Sequence, residues 1–274
     1  MPQLIYNHEF IAENNFTISP SNRAFLYGDG LFETMIYREG RLLYAEDHWQ
    51  RISTGLALLD IQLPASLSSD KLSSLTSELV KKNNLHQNAR IKWQVWRKPG
   101  GLVTPESNSA EFIITANELK KNPEVKTQAF FSEKIKLVPG NLSRYKTLNF
   151  LPYIQAGLEK KKRKADEIIL TDLKGNIAET TTCNIFWCKD DVLYTPSLDT
   201  GCIEGIMRKQ IMRFCQSENI KVQEGFFQPK ELDQAELIFT SNVNGLSLIE
   251  KINDKKINTQ YTLYQAIRIG LDLL

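Results

Sequence analysis

Between Glu167 and Trp187 the chain doubles back on itself, and that hairpin constrains the fold around it. Glu167-Ile168-Ile169-Leu170-Thr171 reads as a strand, Asp172-Leu173-Lys174-Gly175-Asn176 as a tight turn, and Ile177 to Trp187 as the returning strand. Side chains alternate along a strand, so Glu179, Thr181, Cys183 and Ile185 fall on one face.

Strands and helices mix along the rest of the chain, which predicts an α+β fold in two domains. Leu4 to Tyr6 and Leu31 to Tyr37 are strand-like, and Arg38-Glu39-Gly40-Arg41 turns the second into Leu42-Leu43-Tyr44. Asp47 is placed to cap a helix with its apolar stripe at Ile52, Leu56 and Leu59; Leu72, Leu75 and Leu79 mark another. Ala89 to Trp96 and Ser109 to Ala116 read as strands. The polar stretch from Asn117 to Glu124 is the best linker. The expected boundaries are a smaller N-terminal domain over 1–118, a linker over 119–124 and a larger C-terminal domain over 125–274. Beyond the linker, Pro152 suits the first turn of a helix through Tyr153, Ala156 and Leu158. Met207, Ile211 and Phe214 mark a helix after Gly205, and Leu263, Ile267 and Leu271 a last one.

Composition excludes several function classes. With 274 residues, 42% of them hydrophobic, the chain can bury a substantial core. Its 34 basic and 32 acidic residues nearly cancel, so net charge draws it neither to nucleic acid nor to a membrane. The run Lys160 to Lys164 reads as a solvated, dipole-complementing helix end. No apolar run approaches the roughly 20 residues that span a bilayer, and Met1 to His8 lacks the pattern of a secretory signal. Cys183, Cys188, Cys202 and Cys215 suggest neither a disulfide framework nor a CxxC site; reduced, buried thiols in a cytoplasmic protein are expected. His8, His48 and His86 are scattered, so no metal is expected. There is no Gly-x-Ser-x-Gly elbow, and Gly28-Asp29-Gly30 lacks dinucleotide spacing.

The segments that carry chemistry are Lys146-Thr147-Leu148-Asn149-Phe150-Leu151-Pro152 and, 33 residues on from the lysine, Glu179 within Ile177 to Trp187. Together with Arg23 to Thr34, His48-Trp49-Gln50-Arg51, Gly201 to Arg208 and Phe239 to Gly245, they resemble fold-type IV pyridoxal phosphate enzymes. That is the class-IV aminotransferase family, which holds branched-chain and D-amino acid aminotransferases and 4-amino-4-deoxychorismate lyases. The resemblance spans nearly the whole chain. It implies the D-amino acid aminotransferase-like architecture, with pyridoxal 5'-phosphate between the two domains and a homodimer as the working form.

The same resemblance implies the roles. Lys146 is the Schiff-base lysine and proton-moving base, and Glu179 is the partner of the pyridine nitrogen. Phosphate ligands are Arg51, the backbone N–H groups of Ile206 and Met207, and Ser241 or Asn242. Alternation puts Arg90, Lys92, Gln94 and Trp96 on one strand face and Ile91, Trp93, Val95 and Arg97 on the other; Lys92 or Arg97 is the candidate for a substrate carboxylate.

Tyr27 to Thr34 looks more like the lyase and D-amino acid branches than the branched-chain one. Phe150 and Phe32 stand where the branched-chain and D-amino acid aminotransferases respectively carry a tyrosine. An Arg-x-His trap is missing from Lys98 to Pro105, and the lyases' Arg-Gly-Tyr loop is replaced by Gly101-Leu102-Val103. The first expectation is therefore a 4-amino-4-deoxychorismate lyase, forming 4-aminobenzoate and pyruvate for folate synthesis. An aminotransferase for branched-chain or D-amino acids is the alternative, and a catalytically idle cofactor-binding protein the remote one.

Overall fold

The computed structural model of the chain describes residues 1–85, 88–257 and 262–273; His86 lies outside them. The chain divides into two compact units, Met1–Lys120 with Tyr145–Asn149, and Lys121–Arg144 with Phe150–Leu274.

The first unit is an antiparallel sheet with helices packed on one face. Its strands are β1 (Gln3–Tyr6), β2 (Glu9–Ala12), β3 (Gly30–Arg38), β4 (Arg41–Leu42), β5 (Asn88–Arg97) and β6 (Ala110–Glu118), in the order β2-β1-β6-β5-β3-β4. A short α1 (Arg23–Tyr27) precedes β3. Glu39 and Gly40, at φ 49° and 83°, close the β3–β4 turn in the left-handed conformation a tight hairpin requires. Odd-numbered residues of β3 and β5, among them Leu31, Met35, Ile91, Trp93 and Val95, form the buried face. Ile52 and Leu56 of α2 (Ala45–Leu58) and Leu72 and Leu79 of α3 (Ser69–Lys82) pack onto it. α2 begins at Ala45, not behind an Asp47 cap: Tyr44 takes the N-cap position, and Asp47 lies in the first turn beside Glu46.

Tyr145–Asn149, which the sequence reading placed in the second domain, packs with this first unit. The physical reason is strand-like pairing onto β3: Phe32 N donates to Lys146 O at 2.8 Å and Leu148 N to Gly30 O at 3.0 Å. Gly55 of α2 makes room for it, since a Cβ there would sit 2.7 Å from Tyr145 Cδ1 and 2.6 Å from Leu31 Cδ1.

The second unit holds two sheets face to face. One runs β10-β9-β8-β16-β17, from β8 (Ala129–Leu137), β9 (Glu167–Asp172), β10 (Ile177–Thr180), β16 (Lys251–Ile252) and β17 (Lys255–Lys256). The other runs β13-β12-β11-β14-β15-β7, from β7 (Val125–Lys126), β11 (Asn184–Lys189), β12 (Val192–Pro196), β13 (Val222–Gly225), β14 (Leu237–Asn242) and β15 (Gly245–Ile249). Ala129, Ile169 and Ile177 from the first meet Ile185, Trp187, Ile238 and Ile249 from the second in one buried cluster. α4 (Leu151–Lys162) covers the outer side of β8 and β9 through Ala156, with Ile168 and Leu170 beneath. α5 (Ile206–Ser217) packs on β14 and against α6 (Thr262–Gly270).

The returning strand expected over 177–187 is two strands in two sheets. Thr180 N and Oγ1 both donate to Cys183 O, at 2.8 and 3.0 Å, which closes a tight turn and sends β10 and β11 apart. Glu179 and Ile185 therefore belong to different sheets, and no common face joins them.

Candidate active site

In the first unit, pairing with β3 lays Lys146 against Phe32. Lys146 Nζ is 5.4 Å from the centre of the Phe32 ring, and Lys92 Nζ, from β5, is 5.1 Å from the same ring. One phenyl ring thus carries two amines. Burial, and then the neighbouring Arg90, pushes the Lys92 amine below its ordinary range.

On the helix-covered side of β3 lies a buried network of charge. Arg51 Nε donates to Glu33 Oε1 at 2.7 Å and Arg51 Nη2 to Oε2 at 2.5 Å, a two-point grip. His48 Nδ1 also contacts Oε2, at 2.7 Å. Burial by itself would raise the Glu33 carboxyl, but Arg51 and His48 outweigh it and hold it at about 2. Burial also lowers His48; Glu33 opposes this, while Arg51 and Lys146 add to it. The imidazole is therefore neutral. A carboxylate can only accept, so its proton sits on Nδ1.

Arg97 does something different from Lys92. Its guanidinium is buried and donates to Asp29 Oδ2 at 3.0 Å, Asn108 Oδ1 at 2.6 Å, Asp60 O at 3.2 Å and Leu59 O. The sequence reading offered Arg97 to a substrate carboxylate; the structure uses it to tie the end of α2 to β5, because its strand face turns inward. Arg23 reinforces the same corner, pairing with Asp29 at 2.7 Å and donating to Leu102 O at 2.6 Å.

In the second unit, Glu179 is buried on β10, with two donors on one oxygen. Tyr153 Oη donates to Oε1 at 2.5 Å, and Ile203 N donates to the same atom at 3.1 Å. Burial, and then the Glu179 charge, raises Tyr153 well above its usual value and Cys202 to about 12. Both groups stay protonated.

Ile203 leads to Gly205, the N-cap of α5, and the first-turn N–H groups of Ile206 and Met207 follow. Such groups have no partner inside their own helix and attract an anion. Asn184 sets the approach: its Nδ2 donates to Ile203 O at 2.8 Å, and its Oδ1 lies where any Cβ on residue 205 would collide with it. Glycine is required there by close approach rather than by φ. Ser241 on β14 pairs across the ladder with Asn184, and its Oγ is buried with no hydrogen-bond partner among the described residues. Asn242 is committed elsewhere, its Oδ1 accepting from Asn244 N and Asn122 Nδ2, both at 2.9 Å. Of the two residues offered to the phosphate, Ser241 has a hydroxyl still to satisfy and Asn242 braces a turn.

The structure brings Lys146, Lys92 and the Arg51 network together in one unit, and Glu179, Ile206, Met207 and Ser241 in the other. Sequence reasoning missed Tyr153, Glu33 and the donor role of His48. The available signals were a tyrosine in the first turn of the helix after Lys146, and an acid facing a helix that carries His48 and Arg51 three residues apart.

The family model for class IV amino-transferases matches residues 30–252. An aminodeoxychorismate lyase of Bacillus subtilis is 28% identical over 261 residues, 93% of this chain and 86% of that protein. A D-alanine aminotransferase of Listeria monocytogenes is 26% identical over 249 residues, 88% of this chain and 83% of that one. Among solved structures, the branched-chain amino acid aminotransferase of Escherichia coli matches with a TM-score of 0.91 at 21% identity, over all of this chain and 94% of that one. The residues present fit the cofactor these enzymes use. A buried carboxylate suits a protonated ring nitrogen, and the α5 N-terminus with an orphaned buried hydroxyl suits a phosphate. This chain belongs to the class-IV aminotransferase family of fold-type IV, pyridoxal phosphate-dependent lyases and aminotransferases.

Proposed function

We propose that this enzyme is a 4-amino-4-deoxychorismate lyase, releasing 4-aminobenzoate and pyruvate. The observation that carries the reading is the pair of amines, Lys92 and Lys146, over the one Phe32 ring. A second, half-buried cation beside the reactive lysine suits a substrate with carboxylates on both its ring and its three-carbon arm. The Bacillus subtilis relative named for this activity supports it.

When bound, pyridoxal phosphate supplies an electron sink for the charge left as a carbon beside the substrate nitrogen loses its proton. Lys146 would hold the cofactor through its aldehyde and, as a free amine, would take that proton at Nζ. Glu179 would accept from the pyridine N–H and keep that proton in place, while Tyr153 and Ile203 N orient its Oε1. The N–H groups of Ile206 and Met207, the Ser241 hydroxyl and the Arg51 guanidinium would hold the phosphate. Glu33 fixes the Nε–Nη2 edge of Arg51. Lys92 binds a substrate carboxylate. The bond between the ring and the oxygen of the three-carbon arm would break, the arm would leave as enolpyruvate and take up a proton to become pyruvate, and the aromatic ring left behind drives the step.

The 26% relative named D-alanine aminotransferase favours a second reading, transfer of an amino group from a D- or branched-chain amino acid by the same Lys146 and Glu179. A product assay separates the two. Cofactor-loaded enzyme is given aminodeoxychorismate in one arm, and amino acids with 2-oxoglutarate or pyruvate in others. Release of 4-aminobenzoate without amino transfer is expected; transfer without 4-aminobenzoate would replace the lyase by the aminotransferase.

The working form in this reading is a cytoplasmic homodimer. The four cysteines are buried and none is in a disulfide, as a reducing compartment would keep them. Among the described residues no helix is long and apolar enough to cross a membrane. A solution mass near twice 31.4 kDa is expected, and one near 31.4 kDa would refute the dimer.

A further inference from the structure

One buried ion pair plays no part in the chemistry above. Lys126 on β7 and Glu167 on β9 meet at 2.5 Å between Nζ and Oε2, where the two sheets of the second unit face each other. Both side chains are almost fully buried. Apolar side chains of similar volume would serve stability there as well or better, because two charges lose their hydration on burial. What an ion pair adds is direction.

The directions are specific. Lys126 Nζ also donates to Thr240 Oγ1 at 2.9 Å and to Cys183 Sγ at 3.6 Å, so the ammonium holds β9, β14 and the turn before β11 at once. Glu167 Oε1 accepts from Thr181 N at 3.2 Å and Ile168 N at 3.1 Å. Thr181 and Cys183 are the two ends of the break that separates β10 from β11. Each attachment point neighbours a residue of the site: Thr181 follows Glu179 by two, Cys183 precedes Asn184, and Thr240 precedes Ser241. Asn184 in turn sets the Ile203–Gly205 approach to α5. Burial opposes the charged forms, but Cys183 and Glu167 raise Lys126, and Lys126 lowers Glu167, so both are ionised near neutral pH.

We propose that the Lys126–Glu167 pair is a positioning device, pinning the Thr180–Cys183 turn so that Glu179, Asn184 and Ser241 stand in register for the cofactor. This rests on the reading that Glu179, the α5 N-terminus and Ser241 hold pyridoxal phosphate. Lys126 and Glu167 touch neither cofactor nor substrate; they act through the backbone they hold.

The test is Lys126→Met with Glu167→Leu in one chain. Removing both leaves Thr240 Oγ1 its bond to Ser247 O at 3.3 Å, and Thr181 N its bond to Ile168 O at 3.1 Å. Two quantities are measured: the thermal midpoint without cofactor, and the Kd for pyridoxal phosphate by quenching of tryptophan fluorescence. The midpoint should hold within a few degrees while Kd rises about tenfold or more, the usual loss when a supporting contact behind a ligand-holding group is removed. Thr240→Val, which cuts one arm of the pin, should raise Kd by a smaller factor at an unchanged midpoint. Unaltered Kd in both variants would overturn the proposal. So would a double variant that unfolds, since the pair would then be a stability element. Glu179→Gln and Ser241→Ala run beside them: if neither alters Kd or the bound cofactor's absorbance, the half-site reading fails by itself, independently of the pin.

Discussion

The Tyr153 hydroxyl donates to Glu179 Oε1 at 2.5 Å, joining the first turn of α4 to the central acid of β10. The tyrosine is held protonated by burial and by the charge it faces, so it can act on that acid only as a donor. Hydrogen bonds to a charged group contribute about 1.5–3 kcal/mol. Tyr153→Phe should therefore weaken the hold on Glu179 and lower kcat about tenfold or more, with the Kd for pyridoxal phosphate changed far less. Parent-like kcat would remove Tyr153 from the account.

Lys92 and Arg97 were equal candidates by residue type, and the structure separates them. Lys92→Met should raise KM for an anionic substrate about tenfold or more, the cost of losing a charged contact, with the thermal midpoint nearly unmoved. Arg97→Met takes a buried guanidinium away from Asn108, the Leu59 and Asp60 carbonyls and Asp29, which keeps Arg23, and should cost about 2–5 kcal/mol in urea unfolding. The reverse pattern would restore Arg97 as the substrate residue.

Acid should unfold the first unit in two stages. His48 is kept neutral inside, so as pH falls through about 6.5 the unfolded imidazole gains a proton that the folded one refuses, and stability declines. Glu33 is held at about 2 against an ordinary 4.5, so its contribution, about 3 kcal/mol by that difference, is complete above pH 4.5 and lost as pH falls towards 2. Urea unfolding from pH 7 to 3 reads both. His48→Gln keeps a donor for Glu33 and should flatten only the upper limb; an unchanged slope there would show that His48 is charged in the fold.

Gly205→Ala forces a Cβ into Asn184 Oδ1 and must displace the turn that opens α5. Because that helix end is assigned to phosphate, affinity for pyridoxal phosphate should fall about tenfold or more relative to pyridoxal, which lacks the phosphate. An equal loss for both ligands would point to general damage.

What was legible in the sequence follows the range of the forces involved. The β3–β4 turn was readable because Gly40 obeys a local rule, and the opening of α5 from the glycine before an apolar stripe, although the reason for Gly205 is its distant neighbour Asn184. The alternation along β5 was readable for the same reason, and it sorted Lys92 from Arg97 by face. What each face meets was not, since Leu59, Asp60 and Asn108 reach Arg97 from distant stretches of chain. The break between β10 and β11 was hidden because Thr180, Thr181 and Thr182 are β-branched residues that read as strand. The groups that hold it, Lys126 and Glu167, lie tens of residues apart in the chain. Lys146 was found by its motif, but its place beside β3 comes from pairing with residues more than a hundred positions earlier.

The central claim is that Lys146 carries the cofactor, and borohydride reduction tests it most directly. The protein is loaded with pyridoxal phosphate, reduced, digested and mapped by mass spectrometry. One phosphopyridoxyl group per chain, on Lys146, is predicted, together with loss of both label and turnover in Lys146→Ala. Label on Lys92, Lys126 or any other lysine, or turnover surviving in Lys146→Ala, would contradict the account.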